Sequence, residues 1–197
     1  MRAFDPLAYG PTIAPLLGAA PLCEIGPGVA HAPARNHLGA LTLQALAAPR
    51  AVADRDMAQC CFAALWLRFD YLEQGHTISQ SIATTEGSYW HAIVHRREPD
   101  FDNAKYWFRR VGRHEIFEPL CEAARRLAGE HKTEPAADFL LRQSEWDPYQ
   151  FVDLCDVALD GCPPIHTLCK RIQQCEWELL FDHCYRRAVA AEPAACA

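Results

Sequence analysis

At 197 residues, 50% hydrophobic and 22% charged, the chain is long enough for one full-sized core and short for two. Its net charge of -6 excludes a broadly basic face of the kind that displaces counterions from a phosphate backbone, so no nucleic-acid partner is expected. No segment approaches the roughly 18 unbroken apolar residues of a spanning helix, and Pro6, Pro11, Pro15 and Pro21 interrupt the apolar N-terminus, so neither a membrane anchor nor a secretory signal is expected and the predicted location is cytoplasmic.

Residues 1–35 carry Pro6, Pro11, Pro15, Pro21, Pro27 and Pro33 with several glycines, which predicts an irregular arm without a long helix. Leu7, Tyr9, Ile13, Leu16, Leu17 and Ile25 make that arm too apolar for a solvated tail, so it should pack across the helical body. Asn36 is placed to cap a short helix ending near Ala47, and Pro49 closes it. From about Val52 to Gln74, apolar residues recur at three and four positions, which predicts one long core helix with Gly75 as its C′ residue. Gly75 to Gln80 then reads as a polar connection.

Thr84 or Thr85 can cap the next helix, which Pro99 ends near Arg97 or Glu98. Asp100 or Asp102 caps a helix from about Asn103 to Val111, stopped by Gly112; so short a connection makes the two antiparallel neighbours. Further helices are predicted from Pro119 to about Ala128, from Pro135 to about Gln143, from Pro148 to before Gly161, and from Pro163 and Pro164 to about Ala190. No stretch alternates with period two. The expected fold is all-α, a single-domain antiparallel helical bundle over 36–192, with the arm before it and a tail at 193–197.

The ten cysteines fall mostly inside predicted helices and read as free, buried thiols. Cys155, Cys162, Cys169 and Cys175, with His166 and His183, lack the short knuckle that pre-forms a zinc chelate.

Chemistry concentrates between Gly75 and Gly112. His91 and His95 are four apart and share one helix face, Glu98 lies three beyond, and His76 precedes them. These four are candidate ligands for a divalent metal such as Zn, Mn, Fe or Ni, with Glu86 as an alternative carboxylate to Glu98. The glutamate of an H-E-x-x-H protease helix is missing, since Ala92 and Ile93 follow His91. A second reading places a small anionic or hydroxylated molecule in a cleft walled by Tyr89, Trp90 and Trp107. Arg96, Arg97, Arg109 and Gln80 would bind it, with His91 or His95 as general acid or base. In the bland alternative, Arg96 and Arg97 pair with Glu98, Asp100 and Asp102 around the turn and the histidines pack. A protein-interaction surface anchored on Trp90, Tyr106 and Trp107 is a further reading. Ser79 lacks a nucleophile-elbow context, which disfavours a serine hydrolase. Oligomeric state is not legible.

The segment GSYWHAIVHRREPDFDNAKYWFRRVG resembles one helical hairpin of the tetratricopeptide type. Gly87, Tyr89 and Trp90 are similar to the small and aromatic positions of that repeat's first helix, and Ala104, Phe108 and Val111 to those of its second. The wider pattern, SYWHAIVHRREPD with NAKYWFRRVG and EWELLFDHCYRRA, resembles a family of uncharacterised all-helical bacterial proteins. That resemblance implies a single helical domain and assigns no catalytic role.

Overall fold

Helical periodicity is realised throughout. The computed structural model describes residues 4–20, 22–130 and 134–191, and among these the protein is all-α, with one isolated bridge between Val52 and Val189. The helices are α1 (Gly10–Ala19), α2 (Ala32–Ala40), α3 (Leu43–Ala47), α4 (Arg55–Arg68), α5 (Leu72–Ser79) and α6 (Thr85–Arg97). They continue with α7 (Phe101–Val111), α8 (Phe117–Gly129), α9 (Phe139–Arg142), α10 (Pro148–Leu159) and α11 (Pro163–Ala188). No helix among the described residues is long and apolar enough to cross a membrane.

The 26-residue α11 is the spine. Its C-terminal half, with Trp177, Leu180, Phe181, Cys184 and Tyr185, is buried with α4 and α6 in the larger core cluster. Its N-terminal half, with Ile165, Leu168, Cys169 and Ile172, is buried with α8 and α10 in a second cluster. Trp177 Nε1 donates to Ala64 O at 2.9 Å and ties α11 to α4.

Local signals set many ends where expected. Thr84 Oγ1 accepts from Gly87 N at 3.1 Å and caps α6; Asp100 Oδ1 accepts from Asn103 N at 3.4 Å and caps α7. Asp147 caps α10, accepting from Tyr149 N at 2.9 Å and Gln150 N at 3.1 Å. Gly112, at φ 62°, closes α7. Only three residues separate α6 from α7, so the two form the antiparallel hairpin the spacing predicts.

Several boundaries differ. The arm contains a helix, α1, in spite of Pro15. Pro11 occupies the first turn, where its missing N–H costs nothing. Tyr9, Ile13 and Leu17, at successive four-residue steps, are buried and offset the bond that Pro15 forgoes. The arm does pack on the body: Tyr9 OH donates to Asp182 Oδ1 and Tyr185 OH to Tyr9 O, both at 3.0 Å.

Asn36 lies inside α2, and Thr42 is the cap of α3, accepting from Ala45 N at 3.1 Å. The long helix of 52–74 is instead two, because the chain turns sharply at Asp70, with φ 61°, before α5 starts. Gly75 is therefore an α5 residue, and its role is close approach: a Cβ there would lie 2.6 Å from Leu67 Cδ2. Residues 75–79 are helical, which converts the expected polar connection into an element that aims His76. Nine cysteines are free thiols, seven of them buried; Cys196 and the 193–197 tail lie outside the described residues.

Candidate metal centre

Helix geometry does most of the assembly. His91 and His95 sit one turn apart on α6, and α5 packs across it and brings in His76. The ring centroids are 4.6 Å apart for His91 and His95, 4.7 Å for His76 and His91, and 4.9 Å for His76 and His95. One nitrogen from each ring lies within 4.8 Å of the other two, and His91 Nε2 is 3.0 Å from His95 Nε2. Two nitrogens bound to one tetrahedral Zn at about 2.0–2.1 Å lie about 3.4 Å apart, so these rings are already close to ligand spacing. His91 and His95 are 4% and 5% exposed. The His76 side chain is 32% exposed, so the cluster opens to the surface on its side.

The far sides of two rings, those of His95 and His76, face carboxylates. His95 Nδ1 lies 3.4 Å from Glu98 Oε2 and 3.5 Å from Asp100 Oδ2, while His76 Nδ1 lies 3.7 Å from Glu98 Oε1. A carboxylate behind an imidazole draws the ring proton to the outer nitrogen and leaves the inner lone pair free. Glu98 thus stands behind the rings rather than among the converging nitrogens, which differs from the four-ligand set expected from sequence. Trp107 covers His91 with ring centroids 4.1 Å apart, and the Asn103 amide nitrogen lies 3.2 Å from His95 Nε2. His91 Nδ1 is buried without a hydrogen-bond partner.

Burial pushes His91 down to about 4, aided by repulsion from His95 and His76; burial also lowers His95, and it raises Glu98. At neutral pH the His91 and His95 rings are uncharged, the state that coordinates a metal. A general acid at neutral pH needs a pKa near 7, so the acid role expected of His91 does not fit its environment.

No family model, curated protein or solved structure matches this chain. The functional reading therefore stands on geometry.

The second expectation, an arginine-lined ligand cleft, is corrected. Arg96 is fully buried and donates to Glu176 Oε2 at 2.5 Å, Glu176 Oε1 at 3.3 Å and Gln173 Oε1 at 3.3 Å, with its guanidinium 4.7 Å from the Phe151 ring centroid. Arg97 is also buried, donating to Leu67 O at 2.8 Å and pairing with Asp70. Neither pairs with Glu98, Asp100 or Asp102; both form structural ion pairs, Arg96 with Glu176 on α11 and Arg97 with Asp70 at the turn before α5. Tyr89 and Trp90 are fully buried; Tyr89 OH donates to Glu176 Oε1 at 3.1 Å. Arg109 is exposed beside Tyr106, and Gln80 is exposed at the end of α5. Cavities of about 810 and 640 Å³ lie elsewhere, and none of the three histidines lines either one.

Sequence reasoning missed a second convergence, Glu86 with His114 and His183, whose donor atoms also lie within 4.8 Å of one another. Its members come from three separate elements, so no spacing rule marks it.

Proposed function

We propose that this is a divalent-metal-binding helical protein whose ligands are His76, His91 and His95. The observation that carries the reading is the approach of three imidazoles to ligand spacing, with carboxylates set behind two of them. Buried histidines that merely pack usually spend their nitrogens on separate partners; here the nitrogens converge. Three imidazole donors favour Zn, Fe or Ni over Mn, which prefers oxygen ligands. Three ligands leave a further position for water or a small anionic or hydroxylated molecule, on the side where His76 and Glu98 are partly exposed.

The test is metal analysis and Zn2+ titration of untagged protein purified without chelator. The expected result is tight binding that raises the melting temperature and is reversed by chelation, because an ion that binds only the folded state stabilises it. His91→Ala and His95→Ala should each lose binding at this site while retaining the wild-type circular dichroism spectrum. A well-folded His91→Ala/His95→Ala double variant with wild-type stoichiometry and affinity would remove these residues from the ligand set.

A further inference from the structure

Glu86 stands in the first turn of α6, His114 between α7 and α8, and His183 near the end of α11. Glu86 Oε1 lies 3.1 Å from His183 Nε2 and 3.9 Å from His114 Nε2, and the two imidazole centroids are 4.7 Å apart. The three side chains are nearly enclosed, at 12% exposure for Glu86, 3% for His114 and 9% for His183. His114 Nε2 is buried with no hydrogen-bond partner. Such an orphan is costly in a folded protein, and this one has a carboxylate and a second imidazole beside it.

His183 is oriented in the manner of a ligand. Its Nε2 lies 3.1 Å from Glu86 Oε1, a hydrogen bond in the tautomer that carries the proton there, and its Nδ1 lies 3.6 Å from Glu115 Oε2, which can take that proton when a cation binds at Nε2. A cation at that position replaces the proton that the hydrogen bond between the two atoms requires. Arg187 supplies positive charge there: its Nη1 is 3.4 Å from Glu86 Oε1 and contacts His183 Nε2, while its Nη2 is 3.0 Å from Glu115 Oε1. Its side chain is 45% exposed, so it has solvent to move into. His114 and Glu115 also line the cleft of about 810 Å³ between α8 and the start of α10, which gives the cluster an open side.

We propose that Glu86, His114 and His183 form a second divalent-metal site, of the two-imidazole, one-carboxylate type, beside this cleft, with Arg187 as the competing cation. That donor set suits Zn2+, Fe2+ or Co2+ and leaves coordination positions for water or a ligand in the cleft. Coordination through His114 Nε2 puts the ring proton on Nδ1, so the Ile116 amide, 3.3 Å from that atom, loses its acceptor. His114 is therefore the weaker of the two imidazole ligands. The inference does not depend on the three-histidine site.

Co2+ titration followed by visible absorption separates the two sites. With His91→Ala/His95→Ala in place to silence the first site, one Co2+ should still bind, and adding His183→Asn should abolish it. Adding Arg187→Gln instead should tighten binding about tenfold, because a like charge is removed at close range. In otherwise wild-type protein, His183→Asn should lower the Co2+ stoichiometry by one equivalent and leave the three-histidine spectrum intact, a check free of any folding defect in the double variant. The proposal is overturned if the stoichiometry survives His183→Asn, or if Arg187→Gln leaves the affinity unchanged.

Discussion

His95 and Arg96 are neighbours on α6, and their side chains end in opposite circumstances. Arg96 turns toward α11, where Glu176 and Gln173 occupy both of its terminal nitrogens and the Phe151 ring covers the guanidinium. His95 turns toward α5 and α7, where one nitrogen meets carboxylates and the other meets a second imidazole. One face is a polar lock closed by its own partners; the other brings imidazole nitrogens from three side chains to within ligand spacing of one another. Both look functional in sequence, and what separates them is whether the fold supplies the missing half of the interaction.

The largest expected effect tests the closed face. Arg96→Ala leaves Glu176 fully buried with the Tyr89 hydroxyl as its remaining partner among those described, and breaking one half of a buried pair costs about 3–5 kcal/mol. Urea unfolding should show that loss, and a change below about 1 kcal/mol would break the contrast, since Arg96 would then be dispensable to the framework. Replacing both partners with Met and Leu should recover most of the stability, because similar apolar volume is often neutral or better at such sites.

Why the histidine face was legible and the arginine face was not follows from sequence distance. His91, His95 and Glu98 are joined by helical periodicity, and the caps at Thr84, Asp100 and Asp147 are local chemistry, so a single sequence carries them. Glu176 is 80 positions from Arg96, Asp70 is 27 from Arg97, and His183 is 97 from Glu86; no local pattern encodes those pairings. The break at Asp70 was hidden for a related reason. Apolar spacing runs on through Phe69 and Leu72, while the fold-back of α5 rests on distant partners: Gly75 packs closely on Leu67, and Arg97 bonds Leu67 O and pairs with Asp70. At α1 the proline count suggested irregular chain, whereas burial of Tyr9, Ile13 and Leu17 decided for helix.

Glu98→Gln sharpens the comparison from the open face. The side chain keeps its shape and loses the charge behind His95 and His76, so the rings are oriented less firmly and their inner nitrogens are less basic. Metal affinity should fall about 10- to 100-fold, the usual cost of removing such a partner. Unfolding free energy without metal should hardly change, because Glu98 is partly exposed. Isothermal titration decides it: undiminished affinity would mean that the carboxylate near the rings does not orient them.

The smallest effect locates the boundary between the two faces. Tyr89 is fully buried on α6, and its hydroxyl donates to the same carboxylate that holds Arg96. Tyr89→Phe keeps the ring against Phe108 and Phe117 and removes a single hydrogen bond, leaving Glu176 Oε1 with Arg96 Nη1 at 3.3 Å. The expected loss is about 0.5–1.5 kcal/mol, at the low end because the acceptor is not stranded. Metal affinity in the same variant should match wild type. If it weakens in step with stability, the imidazole cluster is held by the Glu176 network as well as by α5, and the two faces of α6 form one coupled unit.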